Sequence, residues 1–134
     1  MRGIRRSLAL LAVLAATVAP HSANAAAVGV RLHIAAQAKI VAEGAGARIG
    51  ITGICTPGAE VIEAFVSITQ NGFTSQFGFV PLTCDGTLHG SVVLVRALDA
   101  PFAPGAATAS GYALVQNALG ETASHSPFRD ITLV

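Results

Sequence analysis

From residue 28 onward, short runs rich in Val, Ile, Thr and Phe alternate with polar positions, and Gly, Pro, Asn and Asp punctuate them. No segment needs a helix to account for its pattern. VGVRLHIA places Val28, Val30, Leu32 and Ile34 on one face, the period-two signature of a half-buried strand. ARIGITGIC places Ile49, Ile51, Gly53 and Cys55 on one face, and Thr56-Pro57-Gly58 then turns the chain. Residues 37–46, between these runs, read as a short edge strand plus a turn.

The middle of the chain is the most specific part. Residues 61–70 and 73–80 flank Asn71-Gly72, the preferred two-residue turn of type I′ in a hairpin. That register sets Gln70 opposite Phe73, Ile68 opposite Ser75, Val66 opposite Phe77 and Ala64 opposite Phe79. On the other face Thr69 meets Thr74, Ser67 meets Gln76 and Phe65 meets Gly78. The first face is mainly aliphatic and aromatic and the second mainly polar, and a slip of one residue would mix them. Phe73, Phe77 and Phe79 therefore share a face, which is most simply core. Left partly open, the same face is a hydrophobic patch of the kind that marks a binding site. Phe65 over Gly78 reads as an aromatic ring covering a strand glycine.

Pro81 ends that strand, Asp85-Gly86 turns the chain, and residues 87–97 form the next strand. VVLV at 92–95 reads as a strand centre buried on both sides or covered by loops. The Pro-rich stretch 98–106 cannot be a central strand. Phe102 within it is a candidate contact anchor, an apolar residue on a loop carried by a rigid scaffold. ATASGYALVQ then sets Ala107, Ala109, Gly111, Ala113 and Val115 on one face. Tyr112 on that strand reads as a packing residue whose hydroxyl finds a backbone partner. Residues 117–120 turn again, and residues 128–134 read as a closing strand. About seven or eight strands in roughly 100 residues predict an all-β, two-sheet antiparallel sandwich of immunoglobulin-like topology. A small closed barrel is the alternative. An antibody-type domain is not supported, because its inter-sheet cysteines lie about twice as far apart and its core Trp has no counterpart here.

The other end of the chain supplies the compartment. Residues 1–25, MRGIRRSLALLAVLAATVAPHSANA, read as a secretory signal peptide. Arg2, Arg5 and Arg6 form its positive region, residues 8–19 its apolar region, and Ala23-Asn24-Ala25 its small-x-small site, with cleavage before Ala26. The apolar run is shorter than the ~20 residues of a spanning helix, so no stable membrane anchor is expected. Arg5-Arg6 also fits a twin-arginine signal loosely, but the strongly apolar run favours the general route. Residues 26–134 then form a single domain with five basic and seven acidic residues, a net charge of −2. With no basic stripe to neutralise phosphates, neither nucleic acid nor an anionic membrane surface is an expected partner.

Export decides how Cys55 and Cys84, the only cysteines, are read. In an oxidising compartment two such thiols pair. A redox pair wants two intervening residues and a structural zinc site four ligands. A structural disulfide Cys55–Cys84 is therefore expected, closing a loop worth roughly 3–4 kcal/mol on the chain-entropy model.

Four short motifs occur in order: T-G-x-C-x-x-G at 52–58, C-D-G-x-x-H at 84–89, P-G-x-A-x-A at 104–109 and a terminal R-D-I-T-L at 129–133. Together they resemble a group of small exported actinobacterial proteins, each a signal peptide and one immunoglobulin-like domain of uncharacterised function. The resemblance covers most of the chain after residue 25. It implies an extracytoplasmic sandwich with one disulfide and brings no catalytic residues. A second resemblance is to antitumour-antibiotic carriers of the neocarzinostatin type, which have two short-range disulfides that this chain lacks.

Candidate chemistry is sparse. His33, His89 and His125 sit on three separate segments, and no G-x-S-x-G or H-E-x-x-H motif occurs. His125 lies among Glu121, Ser124 and Ser126 in what reads as a polar loop. Glu60 and Glu63, three residues apart on a regular strand, point to opposite faces. Asp85 before Gly86 has a turn role, and Asp99 solvates a loop. The expectation is a secreted or extracytoplasmic, non-enzymatic protein that acts by binding or contact, with cell-wall association compatible. Its partner is an extracellular protein or a small apolar ligand, with no metal and no cofactor. The alternative is a carrier of a small apolar molecule, held in a cleft between the sheets lined by Phe73, Phe77 and Phe79.

Overall fold

A computed structural model describes residues 27–134; the expected signal peptide, residues 1–25, and its expected cleavage site before Ala26 lie outside the described residues. The chain forms β1 (Val30–Val41), β2 (Gly46–Cys55), β3 (Glu60–Gln70), β4 (Phe73–Thr74), β5 (Gly78–Phe79), β6 (His89–Arg96), β7 (Gly105–Gln116), β8 (Thr122–His125) and β9 (Phe128–Leu133). A single 3-10 turn, Ala42–Gly44, joins β1 to β2. The all-β expectation holds. β1 is longer than expected, running through residues 37–41 before the turn, and β8 was hidden in the stretch read as a polar loop.

The strands form one mixed, curled sheet in the order β4-β3-β7-β9-β1-β2-β6, with β5 also on β3 and β8 on β7. The expected purely antiparallel arrangement is corrected at one place. β9 inserts between β7 and β1, antiparallel to the first and parallel to the second, with Gln37 opposite Thr132 and Ala38 opposite Leu133. A parallel pair needs a long connection, and here nearly the whole domain separates the two strands. β1 shifts register on β2 between Ile34 and Ala38, and beyond that kink it meets β9.

One face of the curled sheet lines the core. Leu32, Ile34 and Ala38 of β1 pack with Ala47, Ile49 and Ile51 of β2, and with Ala64, Val66 and Ile68 of β3. Val93 and Val95 of β6, Ala107, Ala109 and Ala113 of β7, and Ile131 and Leu133 of β9 extend it, with Val80 and Phe102 from the connections. The period-two faces read from β2 and β7 are thus the buried ones. Val92 and Leu94, expected to be covered, are 69% and 43% exposed. They alternate with Val93 and Val95, which line the core, and so stand on the outer face of the sheet.

The two ends of the sheet approach each other through residues 75–79. Gln76 N–H donates to Arg96 O (3.0 Å), and Gly78 lies against β6, where a Cβ would be 2.7 Å from Leu94 O. The cysteines are bonded, Cys55 at the end of β2 to Cys84 in the connection before β6. Gly58 N–H to Cys84 O and Gly86 N–H to Cys55 O, 3.1 and 3.0 Å, flank the bridge.

Candidate contact surface

The hairpin around Asn71-Gly72 begins in the expected register, with Gln70 opposite Phe73 and Thr69 opposite Thr74. Asn71 and Gly72 both have positive φ, 53° and 84°, as the turn requires. Ser75 still faces Ile68: its N–H donates to Ile68 O, and its Oγ accepts from Ile68 N–H at 2.9 Å. Beyond it the register moves by one, because Gly78 faces Val66 and Phe79 faces Phe65. The extra residue makes this a bulge, which turns every following side chain to the other face.

The consequence is a correction to the placement of the phenylalanines. Phe73, opposite the inward-facing Gln70, stays on the inner side but sits at its rim, 49% exposed. Phe77 and Phe79 are on the outer face, 61% and 81% exposed. The three rings neither share a face nor form core. Gly78 is the inward residue instead, so its glycine is explained by close approach to β6 rather than by Phe65 covering it. Phe102, expected as an exposed anchor, is buried in the core cluster. Two anchors hold its loop down. Phe102 N–H donates to Gly44 O (2.9 Å), and Gln70 Nε2 donates to Ala103 O (2.7 Å) and Ala106 O (3.3 Å) while its Oε1 accepts from Ala103 N–H (3.0 Å).

Phe79, Phe65 and Tyr112 stand opposite one another across β5, β3 and β7, and so share the outer face. The Phe65 ring lies 4.4 Å from that of Phe77 and 5.6 Å from that of Tyr112, both tilted by nearly 40°. These spacings are in the range of favourable aromatic pairs. Phe65 and Tyr112 are half-buried and act as the base on which the more exposed Phe77 and Phe79 rest. The signal for this row was in the sequence, four of the seven aromatics beyond residue 25, but Phe65 and Tyr112 were not assigned to it. Only the bulge brings Phe77 and Phe79 to their side.

A second bulge sits at the other end of β3. Glu60 faces Gln116 and Glu63 faces Leu114, so Ile62 is an extra residue. Glu60 and Glu63 consequently point to the same outer face, which corrects the expectation from a regular strand. An open groove of about 440 Å³ runs beside them, lined by Ile62, Glu63, Phe65 and Phe79 among others. Near Phe73 a smaller hollow of about 100 Å³ lies between β4 and the Pro-rich loop, bounded by Gln70, Leu98 and Phe102. That is below the volumes of a few hundred Å³ typical of sites for drug-sized ligands.

Each of the three histidines among the described residues has a structural partner. His125 Nδ1 accepts Leu32 N–H (2.9 Å), taking the place of a ladder bond where β1 is not yet paired with β9. Arg129 Nη1 donates to Ile34 O (2.7 Å) on the same edge and approaches His33 Nε2 at 3.4 Å. His89 Nε2 contacts both carboxyl oxygens of Asp85 at 2.8–2.9 Å. Asp85 is held at a pKa of about 2, first by the Thr87 hydroxyl, then by Thr87 N–H and by His89. The C-D-G-x-x-H stretch is therefore a hydrogen-bonded turn next to the disulfide. Among the described residues no group of three or more His, Cys, Asp or Glu gathers to hold a metal ion, and no helix is long and apolar enough to cross a membrane. Compared with protein-family models, with curated proteins and with solved structures, the chain finds no match.

Proposed function

We propose that this chain is an exported, immunoglobulin-like contact module that binds an extracellular protein through the aromatic row on its outer face. The observation that carries the reading is the exposure of Phe77 and Phe79 on a base of Phe65 and Tyr112. Rings held at this exposure by a rigid strand scaffold lose little side-chain entropy when covered, and aromatic residues are enriched at interface centres. The disulfide supports an oxidising compartment. An open sheet face suits a protein surface better than a small ligand, which wants a concave, mostly enclosed site. The carrier reading needed Phe73, Phe77 and Phe79 around an inner cleft; Phe77 and Phe79 stand on the outer face and only Phe73 stays on the inner side, at its rim, which favours contact over carriage.

The test is site-specific photocrosslinking in the culture of the producing cells, with a benzophenone amino acid at position 79 or, as a control, at the exposed Leu119 in the turn before β8. The reading expects one defined adduct from position 79, lost when Phe77→Ser is added and absent from position 119. Equal labelling from both positions, or none from position 79, overturns it.

A further inference from the structure

Charge is divided along the sheet. Arg31 and Lys39 stand on β1, Arg48 on β2 and Arg96 on β6, and these three strands hold no carboxylate. β3 carries Glu60 and Glu63 and no cation, and its neighbours β7 and β8 hold no Lys, Arg, Asp or Glu. Arg129 of β9 is engaged by Ile34 O. Glu60 and Glu63 are exposed and form no ion pair among the described residues. Two ladder irregularities meet on this outer face. The bulge at Ile62 turns Glu60 to the side of Glu63, and the bulge after Ser75 turns Phe77 and Phe79 to that same side. Bulges recur where a strand re-aims a side chain beside a site. Glu63 lies two residues, about 7 Å, along the strand from Phe65, and Phe79 stands opposite Phe65. The open groove of about 440 Å³ that these residues line therefore has two aromatic walls, the aliphatic Ile62 and one carboxylate.

We infer that this groove receives an arginine side chain of the protein partner, its guanidinium stacked on Phe79 and paired with the Glu63 carboxylate. The inference rests on the contact reading above and names the chemistry that the aromatic row meets. An apolar side chain would suit the rings but would cover the Glu63 carboxylate without pairing it, at a desolvation cost. An acidic side chain would meet Glu60 and Glu63 as like charges. A cation suits both parts of the groove, because a ring face attracts it within about 6 Å and the carboxylate pairs with it. Of the two cationic side chains, arginine fits better. Its guanidinium is planar and weakly hydrated, so it can lie flat on a ring while its edge pairs with a carboxylate through two hydrogen bonds. The lysine ammonium is a compact, strongly hydrated point charge that does neither.

Two measurements on the purified protein test the inference. In an NMR titration, Nα-acetyl-arginine amide should give saturable shifts at Glu63, Phe65 and Phe79. Nα-acetyl-lysine amide should bind roughly two- to fivefold more weakly, and the neutral isostere Nα-acetyl-citrulline amide should leave those resonances in place. Glu63→Gln should weaken the arginine probe by roughly two- to fivefold with the melting temperature kept, since the side chain is exposed. The second measurement repeats the photocrosslinking with the benzophenone amino acid at position 77, which does not line the groove. Its adduct should fall several-fold in Glu63→Lys, where cation would face cation. Citrulline matching arginine, or Glu63→Gln leaving the arginine titration unchanged, overturns the inference while the contact reading stands. So does an adduct from position 77 that Glu63→Lys leaves at full yield. No adduct from either position 77 or position 79 overturns the contact reading, and the partner's arginine falls with it whatever the probes do.

Discussion

Gly78 gives the sharpest stability prediction, because two explanations of the same glycine demand opposite signs. Its φ is not in the left-handed region, so alanine meets no backbone strain there. A glycine merely covered by an aromatic ring in a regular strand would gain on replacement by alanine, by about 0.4–1 kcal/mol from the unfolded chain. The structure places that Cβ 2.7 Å from both Leu94 O and Val93 Cγ1, and 3.2 Å from Val95 Cγ2. Comfortable carbon contacts lie at roughly 3.5–4 Å. Leu94 O belongs to a strand fixed along its length by β2, so the strand as a whole would have to move. Overpacking of this kind costs about 1–3 kcal/mol, which exceeds the entropic gain. Gly78→Ala is expected to destabilise the protein by about 1–2 kcal/mol net, or roughly 4–16 °C in melting temperature for a domain of this size. Gly50→Ala is the control: its nearest neighbour would be Ala35 Cβ at an ordinary 3.5 Å, so it should be neutral or stabilising. Urea unfolding of both variants at unchanged slope measures the difference. A Gly78→Ala protein as stable as the parent would refute the register shift that turns Gly78 toward β6.

Three further outcomes are expected. Replacing both cysteines, Cys55→Ser with Cys84→Ser, opens a loop of sequence separation 29 and should lower unfolding free energy by roughly 3–4 kcal/mol, read by denaturant titration. Gln70→Ala removes three hydrogen bonds from the Pro-rich loop and should cost about 1.5–4 kcal/mol, with faster amide exchange at Phe102 and Ala103; exchange unchanged there would show that Phe102 alone holds the loop. The Asp85 carboxyl should titrate at about 2 by carbon-detected NMR, against an ordinary 3.8. Since its folded pKa lies below the unfolded one, its contribution to stability is complete above the ordinary carboxylate range and disappears as pH falls through about 2; Thr87→Val should move the titration upward.

What was legible in the sequence depended on local repetition. The inward faces of β2 and β7 followed from strict alternation, because a side-chain period of two leaves no other solution once one face is buried. The Asn71-Gly72 turn and its first two pairs followed from backbone preference at positive φ. The disulfide partners followed from there being only two cysteines in a chain read as exported. The tertiary structure alone decided what rests on contacts distant in sequence. The bulge after Ser75 exists where Gln76 reaches Arg96, twenty residues away, and it moved Phe77 and Phe79 from the expected core to the surface. Phe102 is buried because Gly44 and Gln70 capture its loop. β9 enters parallel to β1, and His125 caps Leu32, because the first and last strands meet only after the sheet has curled. Alternation says which side chains agree with one another along a strand; which strand lies beside it, and where the ladder slips, is set by packing that no local pattern contains.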